Sequence, residues 1–312
     1  MKRIRKGAVL LLLAVCLVAG LLPAHGETNG DFRYRLDPAS GQVVITAYLG
    51  SDKEVTVPGQ IDGRPVAAIG DRAFMGEEGI TSVTLPEGLA YIGDSAFYGC
   101  SNLADITVPH GVISIGDWAF GRCAALAEIT LPDSIISIGE AAFYAGGLTG
   151  VTIPPGVTEI AFAAFRKCGE LERVTIPGGV THIGDMAFGY CEKLAGITLP
   201  GALTHIGEHA FERSGLEHVV IPEGVTSIGP GAFRYCRRLT GIDLPGTLTE
   251  IGAFAFEFSS ALESIVIPEG VTIIGSGLFR GCAALTHVTI GASITWIASN
   301  AFEDCPNVTI HQ

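Results

Sequence analysis

Seven cysteines, Cys100, Cys123, Cys168, Cys191, Cys236, Cys282 and Cys305, each stand three residues after a phenylalanine, and two histidines, His182 and His205, stand 23 residues apart. Thiols and imidazoles are the side chains that ligate metals, form disulfides or act as nucleophiles. Their spacing argues for none of these. No pair has the C-x-x-C separation that marks a zinc site. Seven is odd, and the positions one repeat to either side of Cys236 hold Ser214 and Ser259, so a disulfide framework does not close. Free thiols packed as small apolar groups are the expectation. Disulfides between neighbours such as Cys100 and Cys123, or a thiolate metal site, are the alternatives. His182 and His205, with Glu159 before them and His209 nearby, would lie about 5 Å apart on paired strands and could hold a metal. The plainer expectation is an exposed, variable column that also holds Ser114, Ser137, Ser227 and Glu250. No Ser, His and Asp set recurs with triad roles, and no glycine-rich phosphate loop follows a strand. No catalytic residue, metal or cofactor is expected, and the chain does not read as an enzyme.

A different pair of residue types clusters instead. Between each phenylalanine and the next leucine stand Tyr98, Arg122, Tyr144, Arg166, Lys167, Tyr190, Lys193, Arg213, Arg234, Tyr235, Arg237, Arg238, Phe258 and Arg280, nine of the ten cations beyond position 100. Only Arg173 lies outside this segment. Tyrosine and arginine are enriched at interface hot spots, because one offers a rigid amphipathic ring and the other a planar fork of donors. Tyr98, Arg122, Tyr144, Arg166, Tyr190, Arg213, Arg234, Tyr235, Arg237 and Arg238 are therefore the candidate binding residues. The competing expectation is long side chains snorkelling over a core.

These residues must be positioned by a repeat. Isoleucine recurs at Ile69, Ile92, Ile115, Ile138, Ile160, Ile183, Ile206, Ile228, Ile251, Ile274 and Ile297 in steps of 23, with two of 22, and a phenylalanine follows each by five residues without exception. A period of this length means a solenoid whose turns bury their apolar sides only against each other. Within the turn Ile92 to Ser114, the alternation Ile106-Thr107-Val108 predicts a short strand, and Pro109, lacking an N–H, ends it. Threonines recur in the outward strand column, as suits a half-exposed strand. Asp94 is placed to cap a short helical turn, and Asp71, Asp117, Glu140, Asp185 and Glu208 share its column. Eleven turns at strand spacing make a body roughly 50 Å long.

The run Ile183-Gly184-Asp185-Met186-Ala187-Phe188-Gly189-Tyr190-Cys191-Glu192-Lys193-Leu194, continued through Pro200, resembles the repeat of BspA-like leucine-rich proteins of bacterial surfaces. The resemblance covers about residues 69 to 310. It implies a leucine-rich repeat solenoid of short stacked strands and short helical turns, and adhesion to proteins of host or neighbouring cells. Proline and glycine stand where the commoner leucine-rich repeat carries an asparagine ladder, so the usual horseshoe curvature is not implied.

The first 26 residues read as a cleavable export signal. Lys2, Arg3, Arg5 and Lys6 precede an apolar run from Ala8 to Leu22, which is shorter than the roughly 20 residues a spanning helix needs. A lipid anchor at Cys16 is the lesser alternative. Loss of those four cations takes the formal net charge from −13 to −17. So acidic a chain is a poor general ligand for nucleic acid. Residues 27–68 predict a hairpin of Phe32–Leu36 and Val43–Leu49 with a half-repeat, capping a solenoid over 69–312 with no membrane span. The expectation is a secreted or cell-surface protein that binds an extracellular protein or other cell-surface macromolecule through a rigid repeat surface. A scaffold of the cell envelope is the alternative. An exported enzyme or carbohydrate-binding protein ranks lower, since no repeat column supplies a pocket of aromatics with convergent carboxylates.

Overall fold

The computed structural model describes residues 26–312, so the expected signal peptide, but for its last residue, lies outside them. The chain winds as a stack of rungs, numbered here from 1 at Ile69 to 11 at Ile297. Every rung but 3 and 6 contributes two short parallel strands, and those two contribute the first alone. The first ends in the repeat isoleucine, and these isoleucines pair in register, Ile92 with Ile115 and Ile115 with Ile138. The second, such as Ser82–Thr84 and Asp105–Thr107, pairs the same way. A strand of two or three residues cannot bury enough to persist alone, so each depends on the rungs on both sides.

Ahead of rung 1, β1 (Glu27–Asn29), β2 (Phe32–Leu36) and β3 (Val43–Tyr48) form an antiparallel meander. β3 pairs in parallel with Arg64–Ile69, with Ile45 opposite Ile69. The meander thus occupies the place of a preceding turn and covers the first edge. Tyr48 stands in the phenylalanine column, its ring 5.5 Å from that of Phe74.

The third side of each rung corrects one expectation: no residue described here is helical. The segments from Gly70 onward use alternate N–H groups differently. Ala73, Met75 and Glu77 donate to carbonyls three residues back, while Arg72, Phe74 and Gly76 donate to Asp94, Ala96 and Tyr98 of the next rung at 2.8–2.9 Å. A helix needs every N–H for its own i−4 carbonyl. Sending every second one to the neighbour leaves a string of β-turns, with φ of +59° at Arg72 and +78° at Gly76, the sign that type II turns require. The aspartate column follows suit. Asp71, Asp94 and Asp117 do not cap their own rung; their Oδ1 atoms accept from the backbone N–H of Asp94, Asp117 and Glu140 in the next rung at 3.0, 2.9 and 2.7 Å. The glycine before each is needed for close approach, since a Cβ at Gly116 would lie 2.7 Å from the Asp94 nitrogen.

The core is a column of phenylalanine rings, Phe74 through Phe302, with successive centroids 4.9–5.8 Å apart and planes within 18° of parallel. Leucines and isoleucines of both strands close around it. Rungs 4 and 7 are one residue shorter, and they draw in tightly: a Cβ at Gly147 would stand 2.0 Å from the carbonyl of Ala124, and one at Gly215 2.2 Å from that of Glu192. In rungs 3 and 6, which they press against, the second strand is absent.

Candidate functional site: the tyrosine and cation edge

The cysteines are settled first. All seven are free and buried. Each Sγ donates to the carbonyl of the phenylalanine one rung earlier, Cys100 to Phe74 at 3.0 Å and Cys168 to Phe143 at 3.0 Å. Ser259 performs the same task toward Phe233 at 2.7 Å, which explains why serine replaces cysteine in this column. Burial pushes the thiols up, to about 12 at Cys100, Cys168 and Cys236, so none is a poised thiolate. His182 and His205 stack at 4.9 Å in paired register, each sharing a proton between Nδ1 and the hydroxyl of the preceding threonine. Among the described residues no group of three or more His, Cys, Asp or Glu is placed to hold a metal.

All the edge candidates except Arg237 and Arg238, which stand four and five positions after Phe233, occupy two adjacent columns, one and two positions after the core phenylalanine. The second column is left-handed in every rung. In rungs 1, 2 and 10 it holds Gly76, Gly99 and Gly281, which adopt that region freely. Elsewhere it holds Arg122, Lys167, Tyr190, Arg213 and Tyr235, at φ of +55° to +65°. For a residue with a Cβ this conformation costs roughly 1–2 kcal/mol. Bulky side chains are thus held out from the rung at positions where glycine would be the comfortable choice.

Taken rung by rung, the two columns alternate. Tyr98, Tyr144, Tyr190 and Tyr235 stand in rungs 2, 4, 6 and 8, while Arg122, Arg166 with Lys167, and Arg213 stand in rungs 3, 5 and 7. The charges rest on the rings: Arg122 lies 5.6 Å from the Tyr98 centroid, Lys167 5.5 Å from Tyr144 and Arg166 5.6 Å from Tyr190. Arg213 is held between two rings, 5.3 Å from Tyr190 and 4.8 Å from Tyr235. Cation–π contact orients a guanidinium without consuming its in-plane donors. None of Arg122, Arg166, Lys167 and Arg213 forms an ion pair among the described residues, and neither does Arg237, 5.9 Å over Tyr235. Arg213, Arg237, Tyr235 and Glu192 line a shallow depression of about 280 Å³ with Arg238 at its side.

Two of the ten candidates sit differently. Arg234 lies 5.0 Å over Tyr235, but its Nε donates to the buried carboxylate of Glu257, which Arg280 approaches from the other side at 3.7 Å. Arg280 Nε also lies 3.0 Å from a Glu303 carboxylate oxygen, as an ion pair. Arg234, Glu257, Arg280 and Glu303 make an ion ladder that neutralises itself over rungs 8 to 11. Arg238 is paired with Glu217. Trp118 was not singled out by composition, yet it links Tyr98 and Tyr144 at centroid distances of 6.0 and 5.0 Å. Its column, two positions before the phenylalanine, also holds His209 and Phe254 and would have disclosed it.

Fold and edge together define a leucine-rich repeat solenoid. Comparison with known families agrees: the model of the BspA type leucine rich repeat region matches residues 67–195 and 186–309 in six copies. The chain belongs to this family. A crystal structure of a leucine-rich repeat protein from Bacteroides ovatus is 26% identical over 90% of this chain and 94% of that one, with a TM-score of 0.55. A leucine-rich repeat protein from Eubacterium ventriosum is 21% identical over 91% and 83%, TM-score 0.53, and shares the fold. A leucine rich cell surface protein from Faecalibacterium prausnitzii is 27% identical over 92% and 94%, TM-score 0.49. No curated protein matches the chain.

Proposed function

We propose that this is an exported, secreted or surface-held repeat protein that binds an extracellular macromolecule through its tyrosine and cation edge, and that it binds rather than catalyses. The observation that carries this reading is the row of unneutralised cations, each laid on a tyrosine ring, along one edge of a body whose formal charge is −13. Side chains held at left-handed positions, where glycine serves in rungs 1, 2 and 10, support it further. The cationic start and apolar run of the leader support export. Adhesion to cell or matrix components is the form of binding that the family resemblance suggests, by analogy.

The test is capture of the protein by immobilised matrix proteins and by whole cells, beside an Arg122→Gly/Arg213→Gly variant and an Arg173→Ser control. Saturable binding that the double variant loses and the control keeps is expected. Binding indifferent to the double variant would remove the edge from the function. A scaffold role has one observation in its favour: Val266, Ile273 and Trp296 are about half or more exposed on the last rungs. A defined oligomer in light scattering, abolished by Trp296→Ser, would favour it.

A further inference from the structure

The alternation along the edge has a period of its own. Within the two columns, the cations without an ion-pair partner among the described residues recur in rungs 3, 5 and 7, so their spacing is two rungs, about 10 Å at the usual separation of paired strands; Lys193 and Arg237 lie further along their rungs, outside these columns. A partner that met every one of them would carry a negative group at that interval. An extended peptide shows same-side residues about 7 Å apart. Duplex DNA carries a phosphate about every 3.4 Å along each strand, far denser than the edge can neutralise, and an acidic body repels such charge density. Two linked pyranose rings, by contrast, are comparable in length to two rungs. We propose that the edge from Tyr98 to Tyr235 is a track for an extended acidic polysaccharide bearing one anionic group for every two sugar rings. This rests on the binding role assigned to the edge above and names the partner's chemistry.

The parts suit that ligand. Arg213, held between Tyr190 and Tyr235 and without an ion-pair partner among the described residues, offers the planar fork of donors that can meet a carboxylate or sulfate with two hydrogen bonds. The Arg166–Lys167 pair two rungs lower and Arg122 four rungs lower are likewise laid on tyrosine, each cation over one ring. Tyr144 stands between the charges of rungs 3 and 5, and Trp118 links it to Tyr98, adding aromatic surface on which the apolar faces of sugars can lie. Beyond rung 8 the columns neutralise themselves through Glu257 and Glu303, so the track ends there.

The experiment is titration by surface plasmon resonance with hyaluronan oligosaccharides, which carry one carboxylate per disaccharide. Neutral dextran, poly-L-glutamate and inorganic sulfate are the other arms. Hyaluronan should bind, and affinity should fall with rising salt. Each of Arg122→Gly, Lys167→Gly and Arg213→Gly should weaken binding about threefold, the worth of an exposed ion pair, and the triple variant about 30-fold if they act independently. Glycine is native to this column in other rungs, so these variants should fold, and thermal unfolding will confirm it. Arg173→Ser, equal in charge loss but off the edge, should change nothing. No hyaluronan binding, binding that the triple variant retains, or equal or tighter binding of poly-L-glutamate or dextran would overturn the proposal. Binding of sulfate alone, with no gain from the polymer, would do so as well. Edge-dependent capture by cells or matrix proteins without polysaccharide binding would overturn this proposal while leaving the binding role of the edge standing.

Discussion

Ala145 is the plainest case of what one position in this repeat demands. Its φ is +52° in the column where Gly76, Gly99 and Gly281 stand in other rungs, and it offers no ring or charge in return. Ala145→Gly should therefore stabilise the protein by about 1 kcal/mol in urea titration, because a Cβ in the left-handed region is strained. A loss of stability would mean that the strain is not felt there. Tyr190 and Tyr235 share the conformation, and their rings hold cations in place, so the strain there is matched by a contact that Ala145 does not make. The buried thiols make a second prediction at this scale. Their pKa is raised from an ordinary value of 9.0 to about 12 at Cys100, Cys168 and Cys236 by burial. A raised pKa in the folded state contributes stability that is present below pH 9 and is lost as pH rises toward 12. Unfolding free energy should decline above pH 9, and the decline should be shallower in Cys168→Ser, whose hydroxyl can take over the bond to the Phe143 carbonyl as Ser259 does toward Phe233.

At the scale of the rung, the two short ones are the sensitive points. Gly147 and Gly215 let the backbone of rungs 4 and 7 lie against rungs 3 and 6, where a methyl group has no room. Gly147→Ala or Gly215→Ala should cost about 1–3 kcal/mol by overpacking, or more where the rung must shift. Gly178, which has open space around it, is the matched control and should tolerate alanine far better. Phe188→Ala, opening the ring column at a fully buried position, should cost about 3–5 kcal/mol. Chemical denaturation reads all four. The rung is also where sequence reasoning fell short. The phenylalanine column, the isoleucine strand and the buried cysteines are legible because burial repeats with the period. The aspartates are not, because a side chain that accepts from the next rung and one that caps its own helix occupy the same place in a sequence. Which N–H groups turn toward the neighbour is decided by stacking, and no local propensity records it.

For the molecule as a whole, repetition converts a choice made once per rung into a surface some 30 Å long from rung 2 to rung 8. The richness of the edge in tyrosine and arginine was visible in the sequence. Its alternation was visible as well, once residues are aligned by rung, but composition alone hides it. What could not be read was which charges are already neutralised. Arg234 and Arg238 look like Arg213 in the sequence, yet carboxylates of Glu257 and Glu217 meet them, while Arg213 and Arg237 rest on tyrosine and form no ion pair among the described residues. The central claim is that the edge is where a partner sits. The most direct measurement is an arginine-modification footprint, read by mass spectrometry, on the protein free and captured by its partner. Protection of Arg122, Arg166 and Arg213 together, with Arg173 equally reactive in both states, is the predicted result. Protection confined to other residues, with these three as reactive bound as free, would contradict it.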